Sequence, residues 1–156
     1  TERMRIDSTG AVTMPAQPAF LFTAIANQTN IGGTATVEFP TEVFDQNSDF
    51  ASNVFTAPVT GKYQFSGTVR VGQIDKGAAH IRVQINTSNR PHKFGIFDPD
   101  QVFSTDAIYW SFAFSVLADM DAGDTAHIEI VTSGGAAQAD IAGSPNYTFF
   151  SGYLVC

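Results

Sequence analysis

From Phe20 to the end of the chain, apolar residues recur at every second position, the spacing of a strand with one face on a core. Phe20, Phe22 and Ala24 alternate with Leu21, Thr23 and Ile25. Tyr63, Phe65, Gly67, Val69 and Val71 share one face, against Gln64, Ser66, Thr68 and Arg70 on the other. Ile81, Val83 and Ile85 alternate with Arg82, Gln84 and Asn86. Ile108, Trp110, Phe112, Phe114 and Val116 alternate with Tyr109, Ser111, Ala113 and Ser115, and Ile128 and Ile130 flank Glu129. Turn-forming clusters separate these runs: Pro58–Gly61, Asp75–Gly77, Thr87–Pro91, Asp98–Asp100, Asp119–Asp124 and Ser133–Ser144. No helical period of useful length and no internal repeat interrupts them. The pattern predicts an all-β, antiparallel sandwich or barrel.

Three segments depart from it. Residues 1–18 are polar and end in a Pro-x-x-Pro spacing; Asp7-Ser8-Thr9-Gly10 reads as a turn between the extended pieces Met4–Ile6 and Ala11–Met14. They are expected to be a leader or the end of a preceding stalk, with one domain over 19–156, and a chain opening at Thr1 without signal peptide or initiating Met reads as a piece of a longer protein. Gly134–Gly143 is Ala/Gly-rich and predicts a flexible loop. The last strand is apolar on both faces, with Phe149 and Tyr153 on one and Phe150 and Leu154 on the other. An antiparallel strand ordinarily wets one face, so the second face is expected either to meet another subunit or to lie under a long loop.

Composition narrows the function classes. Fourteen of 156 residues are Phe, 44% are hydrophobic and only 15% are charged, which excludes a disordered chain. The net charge of −7 argues against a nucleic-acid or anionic-membrane surface. The single cysteine, Cys156, allows no internal disulfide, and no apolar run is long enough to insert in a membrane.

Three segments, in order, resemble a known family. Val54-Phe55-Thr56-Ala57-Pro58-Val59-Thr60-Gly61-Lys62-Tyr63-Gln64-Phe65 is similar to the F-x-x-P-x-x-G-x-Y-x-F signature of the complement 1q globular head. Leu117, the Gly123-Asp124 turn and His127–Ile130 resemble its next hairpin, and Thr148-Phe149-Phe150-Ser151-Gly152-Tyr153-Leu154 resembles its closing T-F-S-G-x-L with one added Phe. Phe20, Phe44 and Phe50 fit its opening aromatics. The resemblance covers residues 19–156 and implies a ten-stranded C1q/tumour necrosis factor-like jelly roll that forms a homotrimer; Phe150, Leu154 and Phe22 are the expected interface residues. Gly152 is expected where a bulky ring or a backbone approaches closely. The collagen repeat that precedes many such heads is missing. Met4-Arg5-Ile6-Asp7-Ser8-Thr9-Gly10-Ala11-Val12 instead resembles the M-R-I-D-S-x-G-x-V repeat end of bacteriophage tail-fibre and virion proteins, notably of marine phages. That context implies a virion component made in a reducing host cytoplasm, where disulfides are not used; an extracellular cellular module is the alternative.

Candidate chemistry is sparse. His80 and His127 occupy outward or edge positions, no pair has metal-ligand spacing, no Gly-x-Ser-x-Gly elbow exists, and no cofactor is expected. Asp98–Asp100 and Asp119–Asp124 raise calcium, with Asp119, Asp121 and Asp124 as ligands, against the plainer reading of Asp as a turn former. Paired carboxylates of a glycoside hydrolase have no groove assigned to them here. Loops are the expected contact surface for a host receptor or glycan: Asn89, Arg90, His92 and Lys93 form a donor-rich loop, and Tyr109 and Tyr147 offer rings to a sugar. The leading expectation is a non-enzymatic trimeric receptor-binding head of a phage fibre. The rivals are a structural trimerisation or capsid-decoration knob, a cellular C1q-like recognition module, and an enzyme.

Overall fold

The computed structural model describes residues 3–134 and 138–156. The leader contributes β1 (Arg5–Ile6) and β2 (Val12–Thr13). The body runs β3 (Ala19–Thr23), β4 (Gln28–Ile31), β5 (Thr34–Thr36), β6 (Thr41–Asp45), β7 (Phe50–Ala51), β8 (Val54–Thr56), β9 (Gly61–Ile74), β10 (His80–Thr87) and β11 (Pro91–Phe97). It continues through the single-turn helix α1 (Pro99–Val102) to β12 (Ala107–Met120), β13 (Thr125–Ser133), β14 (Ala139–Ile141) and β15 (Phe149–Leu154).

The strands form two antiparallel layers. One has the order β11-β10-β13-β8-β7; the other runs β12-β9-β15-β3-β6, with β14 and then β4 added beside the second half of β9. Sequence neighbours such as β9 and β10 thus lie in different layers, as a jelly roll requires; with β5 paired to β13, the layers hold six and seven strands among the described residues. α1 occupies the Asp98–Asp100 turn, where Pro99 at the first helical position suits a helix start.

Between the layers lies an aromatic core. Phe150 is fully buried and its ring lies 5.1 Å from Phe20, 5.7 Å from Phe65, 5.8 Å from Phe39, 5.9 Å from Phe50 and 6.0 Å from Phe114. Tyr63 is also fully buried and donates its hydroxyl to the Val59 carbonyl at 2.7 Å; burial raises its phenol above the ordinary value. Gly152 faces this core. A methyl there would lie 2.6 Å from Phe65 and 2.7 Å from Phe20, so the close approach expected of Gly152 is real and its partners are rings.

Three expectations need correction. The interface residues Phe150, Phe22 and Leu154 all sit on the core-facing side. Phe22 stacks on Phe50 at 4.2 Å, Phe150 has no accessible surface, and half-buried Leu154 packs against the core at its open end. The two faces of β15 are reversed from the expectation: Phe149 and Tyr153 point outward. A one-residue change of parity turns over a whole strand. The loop expected over Gly134–Gly143 contains β14, which pairs Ile141 with Val71; residues 135–137 lie outside the described residues.

The expected Asp7–Gly10 turn is formed. The Asp7 carboxylate accepts from the Thr9 hydroxyl at 2.6 Å, from Thr9 N at 2.8 Å and from Ala11 N at 3.0 Å. These bonds, the Thr9 hydroxyl first, lower its pKa, and Gly10 takes the positive φ of 88°.

Candidate functional site

The outward faces of the two layers differ in chemistry. On the β10/β13 layer the outward residues form a polar ladder. Arg82 Nε donates to Gln84 Oε1 at 3.1 Å, Gln84 Nε2 donates to Asn86 Oδ1 and to Glu129 Oε2 at 3.0 Å, and His127 Nε2 meets Glu129 Oε1 at 3.1 Å. Every member has a partner within the layer, as a face turned to water can sustain.

On the other layer, cross-strand registry lines up uncharged residues. Leu21, Ser151, Ser66 and Ser115 make one row; Thr23, Phe149, Thr68 and Ala113 make the next; Ala19, Tyr153, Gln64 and Leu117 a third. The patch is bounded at one end by the cross-strand pair Lys62 and Asp119 and at the other by Arg70, opposite Ser111. Strand spacing and rise give it about 19 Å by 20 Å.

The two ends of the sandwich carry different candidates. At the end where Cys156 O accepts from Lys62 N at 2.8 Å and Pro18 O accepts from Leu154 N at 3.0 Å, the domain meets its leader and its C-terminus. The basic loop lies at this end. Asn89 Nδ2 donates to Asp119 O at 2.8 Å and Asp124 Oδ2 at 3.1 Å, and Arg90 Nη2 pairs with Asp119 Oδ2 at 2.8 Å. The Arg90 pair is well exposed and contributes little to stability. Lys93 is exposed, whereas His92 is half-buried and its Nε2 is enclosed without a partner. Arg90 and Asn89 are therefore committed to the neighbouring hairpin.

The same bonds account for the acidic turn. Asp124 Oδ2 also accepts from Asp121 N at 2.8 Å, closing the hairpin, while Asp119 is taken by Arg90. Among the described residues, no three acidic, His or Cys groups converge as a metal cage would need.

Tyr109 and Tyr147 lie at the opposite end, and the fold brings them together. Arg70 stands between them: its guanidinium carbon lies 3.2 Å from the centroid of Tyr147 and 5.0 Å from that of Tyr109. The local reason is a change of partner along β9. Up to Thr68 it pairs with β15; from Val71 it pairs with β14. At Arg70 the ladder is replaced by two bonds to the intervening segment: Arg70 N donates to Thr148 Oγ1 at 3.2 Å and Arg70 O accepts from Ala142 N at 2.9 Å. Thr148, fully buried, donates its hydroxyl to Ala142 O at 2.7 Å, and Tyr147 N donates to Ser144 O at 3.0 Å, so the turn presenting Tyr147 is tied to Arg70's own backbone. Tyr109 lies over Gly72, where a methyl would meet its ring at 3.4 Å.

A family model for the C1q domain matches residues 19–155. The chain belongs to the C1q domain family. Among solved structures it is similar to the globular domain of the zebrafish complement 1qA protein, at 20% identity over 90% of this chain and 98% of that one, with a TM-score of 0.63. It is also similar to murine APRIL at pH 8.5, at 13% identity over 89% and 99% of the two chains, again with a TM-score of 0.63. No curated protein sequence matches it. At these identities the solved structures speak for the fold of this C1q domain alone. No helix among its described residues is long and apolar enough to cross a membrane.

Sequence reasoning placed the two tyrosines but missed Arg70 between them. The signal was available: in the outward set Gln64, Ser66, Thr68 and Arg70, Arg70 is the lone charge.

Proposed function

We propose that this C1q domain is a non-enzymatic homotrimeric head that recognises a host-surface receptor, carried on a phage fibre or other virion protein. The observation that carries the trimer is the uncharged outer face of the β12-β9-β15-β3 sheet. A solvated sheet face is ordinarily rich in charge, as the β10/β13 face is. Rows of Ser, Thr, Ala, Leu and Phe149 suit contact with further copies of the same chain, since charged residues are depleted at interface cores. Family membership supports the same reading. Three copies would also raise the avidity of a weak receptor site.

The fibre context rests on the leader. Its hairpin leaves Met4, Ile6, Val12 and Met14 exposed, apolar side chains that the corresponding leaders of two other copies would cover in a three-stranded stalk end. Location on the virion, with synthesis in the host cytoplasm, follows from that context.

The test is binding of the labelled chain to an array of bacterial surface polysaccharides and to intact bacterial cells. Retained binding by the trimer, lost when Phe149→Glu reduces it to single chains, supports avid recognition. A stable trimer that binds nothing on either support favours the structural knob.

A further inference from the structure

We propose that Arg70, Tyr109 and Tyr147 form a binding subsite for a carboxylate-bearing sugar of an acidic polysaccharide. The inference deepens the recognition reading and rests on it.

Arg70 is chemically out of place unless it has a ligand. It is the charge that closes the far end of an uncharged sheet face, in a chain with a net charge of −7, yet no carboxylate pairs with it among the described residues. Its Nε is enclosed without a hydrogen-bond partner. Holding a guanidinium between two rings fixes its plane while leaving its terminal N–H donors unclaimed by any described side chain. Such a preset fork fits a carboxylate, which takes two parallel N–H bonds.

The rings supply the rest of a sugar site. In the single chain Tyr109 is 59% exposed and Tyr147 43%, each offering an apolar face and a hydroxyl beyond the rows assigned to subunit contact. Neither hydroxyl has a described partner. The backbone bonds from Arg70 to Thr148 and Ala142 keep the three side chains in fixed relation before any ligand arrives, and preorganisation of this kind lowers the cost of binding.

Position agrees. Arg70 lies nine residues along β9 from Gly61, about 30 Å from the end where the leader enters. A head mounted on its leader presents this end outward. The basic loop containing Asn89 and Arg90 is at the mounted end, with its donors already used.

The experiment titrates the full chain with a tetrasaccharide of galacturonic acid and, separately, with the matching neutral galactose tetrasaccharide, by calorimetry at low salt. The parallel variants are Arg70→Gln and Tyr147→Ala. The expected result is binding of the acidic probe at least tenfold tighter than the neutral one. Arg70→Gln is expected to weaken it at least tenfold and Tyr147→Ala severalfold, with unchanged oligomeric mass in both. Raised salt should weaken it further. Equal affinity for the two probes, or full retention in Arg70→Gln, overturns the proposal. So does a fall in oligomeric mass in Arg70→Gln, which would make a neighbouring subunit the source of the carboxylate. Should the array show binding to neutral glycans while the acidic probe fails, the recognition reading stands and the acidic subsite falls. Should the chain bind nothing on the array or on cells, both fall.

Discussion

Phe150→Ala is the sharpest test of how β15 is placed. The ring is fully buried and has five aromatic neighbours within 6.0 Å. Phe-to-Ala changes in cores cost about 3–5 kcal/mol, more where the surroundings cannot collapse into the void. Here the neighbours belong to β3, β7, β9, β12 and the segment before β6, in both layers, so relaxation is restricted and the upper half of that range applies. About 4 kcal/mol corresponds to a fall in Tm of roughly 8–16 °C for a domain of this size. Phe149→Ala, one residue away on the half-buried outer face, should cost far less in the fold and act on assembly instead. Urea unfolding of both variants across a range of protomer concentrations separates the cases, because a loss of assembly depends on concentration and a loss of core packing does not. A loss under about 1 kcal/mol for Phe150→Ala, or a larger, concentration-independent loss for Phe149→Ala, would refute the assigned parity.

Gly152→Ala is expected to lower stability by about 1–3 kcal/mol, since its methyl would press on Phe65 and Phe20 in a close-packed core; thermal unfolding reads this directly, and an unchanged Tm would contradict the packing. Tyr63→Phe removes the hydroxyl bonded to Val59 O and should cost about 1 kcal/mol in urea unfolding with no change of mass. Asp49 has one carboxylate oxygen enclosed without a partner, and burial first, then repulsion from Asp45, raises its pKa. A raised folded pKa means that wild type gains stability as pH falls and loses it as pH rises through that value. Asp49→Asn should therefore be more stable than wild type at pH 7, with the advantage shrinking through the carboxylate range, and a growing advantage on acidification would contradict the cause.

Most of the fold was legible because period-2 alternation survives wherever one face is polar. Tyr63–Val71, Ile81–Ile85 and Phe112–Val116 each sort into a core face and an outer face by inspection, and the structure keeps that sorting. β15 defeats the rule. Phe149 and Phe150 are the same residue, and both faces are apolar, so hydrophobicity cannot choose between two parities one residue apart. What decides is Gly152, which shares a face with Phe150 and makes room for Phe65 and Phe20; a glycine needed for close ring packing marks its face as the core. β14 was hidden for a different reason. Ala139–Ile141 is too short to show alternation, and its pairing to β9 depends on where β15 stops. The site was half legible. Tyr109 stands out as a ring in the outward set Ala107, Tyr109, Ser111, Ala113, and Tyr147 as a ring between Asn146 and Thr148, but nothing local connects positions 109 and 147 to 70. Their meeting depends on the switch of β9's partner at Arg70. The exposed charge of Asn89–Lys93 misled because charge in a loop says nothing of whether a neighbouring Asp already holds it.

The measurement to make is the mass of the purified chain by light scattering at micromolar concentration, beside that of Phe149→Glu. If the uncharged sheet face joins copies of the chain, wild type has the mass of three chains and the variant that of one, still folded by its thermal transition. A wild-type mass of one chain, or a trimer indifferent to a charge on Phe149, would contradict it.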